Sequence, residues 1–500
     1  DAAGAALMVT PEASILAAMA VPLAGALLMW STWRMPDLRD AITLVTAAVL
    51  LLVVLTLLPP VLAGARPTLA LFTVLPGLQI RFTVEPLGML FGLIASGLWI
   101  VNSLYSIGYM RGNREQHQTR FYICFALALA ATMGIAFAGN LFTLFIAYEV
   151  LTLITYPLVT HAGTDKARAG GRVYLGYLMG TSVAFLLPAL VFIWFIAGTT
   201  DFTPGGILEG KLGHHGTAAL LALCMFGVGK AALMPFHRWL PAAMVAPTPV
   251  SALLHAVAVV KAGVFTVVKV VVYIFGVDNL AGAGLGGAAD WLVVVAGFTL
   301  IAASVVALGA DNLKRRLAYS TVSQLSYVVL ATALLAPLSI VGAVMHIAAH
   351  AVGKITLFFA AGAIYTAAHK TEVSQLDGIG RRMPVTMLAF TIAALSMIGL
   401  PPAAGFISKW YMLSGAMASE QWLAVVVIAV STLLNAGYFL PIVYRAFFVA
   451  PAADHGHDAH PHGEAPWPMV LALSLTAAAT VALFFLPDVP LALARQLVGR

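Results

Sequence analysis

About fourteen runs of roughly 20 mostly apolar residues, joined by short polar connections, limit what this 500-residue chain can fold into. A run of that length spans the hydrocarbon core of a bilayer only as a helix, because no water is present there to satisfy a free backbone N–H or C=O. The runs fall near 15–31, 41–63, 86–110, 121–138, 140–160, 173–198, 217–239, 248–275, 290–309, 317–336, 338–366, 384–413, 421–449 and 467–487. The residues are 61% hydrophobic and only 9% charged. No connection exceeds about 25 residues, so a soluble catalytic domain has nowhere to fold. The expected fold class is an all-α polytopic membrane protein.

Charge placement tests that reading independently. If the helices alternate in direction, sixteen Lys and Arg residues fall in the odd-numbered loops, against four (Arg66, Arg81, Lys211 and Lys269) in the even-numbered ones. The positive-inside rule then puts the odd loops in the cytoplasm and both termini on the outer face. The expected location is a bacterial inner (plasma) membrane, crossed many times. The net charge of +6 thus reports topology; its basic residues form no dense patch of the kind that binds nucleic acid. Two cysteines, one of them inside a helix, make neither a disulfide framework nor a metal cluster. No signal cleavage site is evident, and the chain opens on Asp1 rather than Met, as a trimmed start would.

Against this apolar background, Glu149 lies in the middle of the fifth run, between Asn140 and Pro157, and is read as the only acid so placed. Lys230, Lys261, Lys354 and Lys409 each interrupt a separate run. A charged side chain at mid-membrane costs several kcal/mol unless paired or hydrated, so such residues mark ion or proton paths. Lys269 lies near a helix end, where a lysine snorkels to the interface.

Other features follow in chain order. Residues 71–88, LFTVLPGLQIRFTVEPLG, alternate about a central Pro-Gly and read as an outer-face β-hairpin. In 225–255, Pro235 falls inside a run one turn after Lys230, and proline opens the helical ladder. GVGKA nearby lacks the first glycine and the following Ser or Thr of a phosphate loop. His255 and Lys261 share the eighth run, and Ser323, Gln324 and Ser326 offer hydrogen-bonding links in the tenth. His346, His350 and Lys354 recur at i, i+4 and i+8 on one helical face. With no acid or third ligand beside them, the histidines are read as a proton-conducting imidazole row rather than a metal site. The twelfth run is interrupted by Pro401, Pro402 and Gly405, with Lys409 just beyond. Residues 454–464, DHGHDAHPHGE, are read as a solvated low-complexity loop.

Two interrupted helices five segments apart, each with a lysine, imply two inverted five-helix repeats, helices 4–8 and 9–13, with breaks in helices 7 and 12. The chain then divides into 1–120 (helices 1–3 and the hairpin), 121–275 (first repeat), 290–449 (second repeat) and 450–500 (the His-rich loop and the last helix).

Five stretches taken together carry a resemblance: YEVLTLITYPLVTHAGTDKARAGGRVYL, GKAALMPFHRWLPAAMVAPTPVSALLHAVAVVKAG, DNLKRRLAYSTVSQLSY, HIAAHAVGKITLFF and GLPPAAGFISKW. In their order and spacing they resemble the antiporter-like subunits of Mrp-type cation/proton antiporters and of respiratory complex I, with the D-type component of Mrp antiporters the nearest likeness. That resemblance implies fourteen helices with two inverted five-helix units. It also implies that Glu149 pairs with Lys230, that Lys261 and nearby histidines bridge to the second unit, and that Lys409 serves the far exit. Gln324 stands where certain relatives carry His, so His346 and His350 or water would complete the central relay.

The expected function is a proton-translocating subunit of a multisubunit monovalent cation (Na+)/proton antiporter. The proton relay comprises Glu149, Lys230, His255, Lys261, His346, His350, Lys354 and Lys409, supported by Ser323 and Gln324. No cofactor, metal or catalytic residue is called for. The partners are other membrane subunits, H+, Na+ and lipid. The alternatives are a proton-pumping subunit of an NADH dehydrogenase or membrane-bound hydrogenase, and a membrane partner of an inorganic carbon uptake system.

Overall fold

The computed structural model describes residues 10–281, 286–451 and 463–499, so the His-rich stretch at 454–462 lies outside the described residues. Its first helices are α1 (Pro11–Ser31), α2 (Pro36–Leu62) and α3 (Pro86–Gly112). A hairpin of β1 (Thr68–Leu75) and β2 (Leu78–Thr83) lies between α2 and α3. Then come α4 (Gln118–Ala136), α5 (Leu141–Val159), α6 (Asp165–Ala197), α7 (His214–Gly227) and α8 (Thr248–Phe275). The second half holds α9 (Asp290–Gly309), α10 (Leu313–Ala333), α11 (Pro337–Ala368), α12 (Pro384–Ile398), α13 (Ala404–Ala418) and α14 (Trp422–Phe448). The last two are α15 (Trp467–Phe485) and α16 (Asp488–Leu497).

Among the described residues, eleven helices are long and apolar enough to cross a bilayer. The other three expected spans differ for local reasons. The runs at 217–239 and 384–413 are broken, into α7 with the turn that follows it and into α12 with α13. The third, α10, carries Ser320, Thr321, Ser323, Gln324 and Ser326 on buried faces, which lowers its hydropathy. The chain breaks after α7 in the series α4–α8 and between α12 and α13 in the series α9–α14.

Helix starts follow the sequence. Asn140 Oδ1 accepts the Thr143 N–H at 2.7 Å, Thr164 Oγ1 that of Ala167 at 3.1 Å, and Asn312 Oδ1 that of Arg315 at 3.0 Å, each satisfying one of the orphan donors of a first turn. The hairpin turns through Pro76 and Gly77, whose φ of +78° suits glycine. It is fastened to the bundle where Trp194 Nε1 donates to Pro76 O at 3.0 Å and Asn140 Nδ2 to Gln79 O at 2.8 Å.

At the centre lies α11, 32 residues long and buried through its middle, packed against α3, α8, α10, α12, α13 and α15. A helix buried on every side in a bundle normally presents only apolar atoms. This one presents two histidines and a lysine inward.

Some positively charged residues assigned to loops are buried. Arg39 bonds Asp40 at 2.7 Å and faces the Tyr122 ring, and Arg316 gives Nη1 to Tyr438 O at 3.0 Å. Interior hydrogen bonds, absent from any charge count, hold them there.

The approach of α8 to the first break is set by a glycine. A Cβ on Gly263 would stand 2.3 Å from the Lys230 carbonyl carbon and 2.4 Å from Ala231 N, both main-chain atoms that cannot swing aside. Gly263→Ala is therefore expected to cost about 1–3 kcal/mol through overpacking. Gly176→Ala, which has nothing within 4 Å of the added carbon, is expected to be neutral or better. Thermal midpoints of the detergent-purified variants check this, and equal midpoints for Gly263→Ala and the parent would contradict it.

Candidate functional site

The first break holds Lys230 itself. Sequence reasoning placed Pro235 within a helix and Lys230 a turn earlier on it, but α7 ends at Gly227 and Lys230 occupies a single tight turn, Gly229–Ala231. Pro235 lies in the irregular chain beyond. The freed backbone is satisfied locally: Trp239 Nε1 donates to Gly229 O at 2.9 Å, and Lys230 N to Tyr148 Oη at 3.3 Å. The buried Lys230 amine donates to Tyr148 O at 2.9 Å and to Thr152 Oγ1, and stands 3.3 Å over the Tyr148 ring.

Glu149 is the next residue on α5, yet it forms no ion pair with Lys230 among the described residues. The pairing implied by the resemblance is not made in this structure. Both Glu149 carboxylate oxygens are enclosed and lack a hydrogen-bond partner; the neighbouring Ser182 hydroxyl donates to Met179 O at 3.1 Å instead. A carboxylate left so is expensive. Lys230 instead takes the carbonyl of the preceding residue, on the face of α5 that carries Tyr148 and Thr152.

The central group is built where α8 departs from regular helix. Leu253–Val257 form a wide turn closed by Ala258 N donating to Leu253 O at 3.0 Å, a feature common at functional sites and invisible to helical periodicity. It presents His255, whose Nδ1 meets Thr321 Oγ1 at 3.0 Å while Nε2 has no partner. One turn further on, Lys261 Nζ contacts His350 Nδ1, and His350 Nε2 is likewise free. The rings of His350 and His346 lie 6.1 Å apart. Lys354, the third residue on that face, turns to Ser320 Oγ at 2.7 Å, which also accepts from Tyr438 Oη at 3.2 Å.

His346 uses both ring nitrogens. Nδ1 meets Ser408 Oγ at 2.9 Å, and Nε2 meets Gln324 Oε1 at 2.8 Å. Gln324 Nε2 reaches Met397 O at 3.3 Å, and that carbonyl also receives Asn435 Nδ2 at 3.3 Å and Lys409 Nζ at 2.8 Å. Lys409 donates again to Ile398 O at 3.0 Å and stands 4.5 Å from the Tyr327 ring centroid. A lysine on the last carbonyls of α12 is favoured by the negative end of the helix.

Pro401 and Pro402 occupy the turn that separates α12 from α13. Gly405 permits the return: a Cβ there would stand 1.8 Å from Ser396 O. Beside Lys409 lies a cavity of about 420 Å³, lined by Ile398, Phe406, Trp410 and Thr432 among others. Of the supporting residues, Ser323 bonds Ser304 at 2.8 Å, away from the row, and Ser326 Oγ has no partner.

Sequence reasoning missed two groups. Glu149 is not the only interior acid: Glu85 is buried, and Lys269, expected to snorkel, is buried against it with Nζ 2.7 Å from Oε1. Tyr273 Oη donates to Glu85 Oε2 at 2.7 Å. The Glu-Pro pair opening α3 is a helix-start signature, and Glu85 does cap it, accepting the Gly88 N–H at 3.1 Å; that signature concealed its burial. The second is Lys314, assigned to a loop, which donates to Ala246 O at 2.7 Å in the wall of a cavity of about 230 Å³ with Tyr109, Glu115 and Thr248. A run of basic residues ahead of a helix gave no sign of it.

Interrupted helices in paired five-helix units, with titratable side chains converging at the breaks and on a central helix, define a polytopic membrane protein of the transporter-like kind. The family model described as NADH:quinone oxidoreductase/Mrp antiporter, transmembrane, matches residues 138–435, and the chain belongs to this family. It is 33% identical over 376 residues to NADH-quinone oxidoreductase subunit N of Desulforudis audaxviator, covering 74% of each chain. It is 31% identical over 459 residues to the A/B component of a probable K(+)/H(+) antiporter of Rhizobium meliloti, covering 88% of this chain but 44% of that one. It is 32% identical over 418 residues to NADH-quinone oxidoreductase subunit L of Mycobacterium tuberculosis, covering 80% and 63%. The fold matches a chain in the structure of the Mrp complex from Dietzia sp. DQ12-45-1b with a TM-score of 0.85 at 22% identity, over 98% of this chain and 97% of that one.

Gln324 carries the link between His346 and the second break. Gln324→Leu strands a buried imidazole nitrogen, a loss expected to cost about 1–3 kcal/mol. A lowered thermal midpoint of the purified chain is the expected readout. An unchanged one would mean that His346 is not held by Gln324.

Proposed function

We propose that this chain is a proton-translocating subunit of a multisubunit monovalent cation/proton antiporter, with Na+ the exchanged cation. The observation that carries the reading is the buried series Lys230, Lys261–His350, His346–Gln324 and Lys409, strung between two helix breaks. These lysines have no carboxylate partner among the described residues; carbonyls, hydroxyls and an imidazole hold them. Such neutral partners can hold an amine with or without its extra proton, as a relay requires. His255 and His350 each keep one ring nitrogen free, and an imidazole with one engaged and one free nitrogen can accept a proton on one side and release it on the other.

In this mechanism, Glu149 acts as a movable counter-charge. At rest Lys230 bonds Tyr148 and Thr152 while Glu149 stands unpaired one residue away. Bringing the two within about 4 Å contributes on the order of 4 kcal/mol at an effective dielectric of 20, roughly a thousandfold in proton occupancy. Lys230 then loads when the pair forms and releases towards His255 and Lys261 when it opens. Lys354 sits beside this step on Ser320. Lys409 delivers the proton to the far side next to its cavity. In this reading both termini lie on the outer face of a bacterial plasma membrane, an orientation that the excess of positive charge in the odd-numbered loops supports.

A second reading is favoured by the two quinone oxidoreductase relatives: the same relay, driven by electron transfer in a complex I-like assembly. Copurifying subunits distinguish the two, since iron–sulfur or NADH-binding partners would support the redox machine and further antiporter subunits the exchanger.

In everted vesicles, Glu149→Ala and Lys230→Ala are each expected to abolish proton-coupled sodium transport with the complex still assembled. Wild-type transport in both would refute the reading.

A further inference from the structure

Glu85, Lys269 and Tyr273 form a second buried titratable cluster, which the relay above does not use. Glu85 opens α3 and Lys269 lies on α8, so the ion pair bridges helices from different parts of the chain. The cluster sits at the hairpin end of the bundle. Lys269 Nζ also lies 4.3 Å from the Phe202 ring centroid, and Phe265 packs on Phe91 at 5.1 Å one turn closer to Lys261. Lys261 and Lys269 are eight residues apart on α8, about 12 Å along its axis. Tyr273, which donates to Glu85 Oε2, also lines a cavity of about 400 Å³ together with Arg66, Asp278 and Gln496.

The Tyr273 hydroxyl completes the hydrogen bonds of the buried carboxylate and at the same time borders the cavity, so it joins the pair to that space. We propose that Glu85 is a proton-exchange site between the mid-membrane row and the hairpin-side aqueous phase, with Tyr273 its link to the cavity and Lys269 its counter-charge. The inference rests on the proton-transport reading above.

The proton balance is simple. In the observed arrangement Tyr273 O–H points at Oε2. On entry that O–H bond breaks as the Oε2–H bond forms, and a hydronium ion in the cavity gives a proton to Tyr273 Oη, restoring the hydroxyl and leaving water. On exit the order reverses: Oε2 gives its proton to Tyr273 Oη as the hydroxyl gives its own to water. Tyr273 is unchanged in either direction, and Lys269 positions the carboxyl by its charge.

Transport assays on the whole complex in vesicles, beside Lys230→Ala, separate this role from a structural one. Gln at position 85 keeps the cap on α3, and removing both charges of a buried pair together is often neutral for stability. Glu85→Gln/Lys269→Met is therefore expected to assemble while transporting at least tenfold more slowly. Tyr273→Phe, which loses one hydroxyl, is expected to fall at least fivefold, and it decides the matter alone if the double variant does not assemble. Wild-type rates in Tyr273→Phe, or in an assembled double variant, overturn this inference when Lys230→Ala is inactive. Wild-type transport in Lys230→Ala overturns the transport reading itself, and this inference with it.

Discussion

Lysines buried in an apolar bundle must be held by something, and in this chain the holders are backbone carbonyls, hydroxyls and an imidazole rather than carboxylates. Lys409 takes the two carbonyls that α12 exposes by ending at Ile398. Lys230 sits inside the gap after Gly227 and takes a carbonyl and a hydroxyl from α5. The break after Ile398 frees the last carbonyls of α12 for Lys409, whereas Lys230 shares a carbonyl within the unbroken α5 and is held besides by the Thr152 hydroxyl and the Tyr148 ring. The prolines and glycines fit that arrangement: Pro401 and Pro402 separate two half-helices, and Gly405 and Gly263 let main chains approach where a methyl group would collide.

The one ion pair that a buried lysine makes among the described residues, Glu85–Lys269, shows the contrast. In this arrangement Lys269 already has a carboxylate in contact with it. Among the described residues Lys230, Lys261, Lys354 and Lys409 have no such partner, and in the proposed mechanism the unpaired Glu149 beside Lys230 supplies it on demand. An arrangement in which a counter-charge is near but not engaged is bistable, and bistable elements convert a local proton into a movement.

Eleven of the spans and the burial of Lys230, Lys261, Lys354 and Lys409 were legible in the sequence, because an apolar run of membrane length reads as helix and makes a charge in its middle conspicuous. The partners were not. Periodicity put His346, His350 and Lys354 on one face, and they are all buried, but Lys354 turns to Ser320 on α10 while His350 meets Lys261 on α8. Those choices depend on which helices pack against α11, which is long-range information. The wide turn at Leu253–Val257 was hidden because its composition is that of any apolar helix. Lys269 was misread because distance from a run's end is a poor guide when another segment, here the start of α3, covers that end with an acid.

The central claim is that a connected, hydrated row of titratable groups runs between the two breaks. An experimental density map of the assembled complex, at a resolution where bound water is visible, tests it most directly. Ordered waters should bridge His255 Nε2, His350 Nε2 and their lysine neighbours in hydrogen-bonded steps reaching Lys230 and Lys409. A dry apolar gap between Lys230 and Lys261, too long for one water to span, would contradict it.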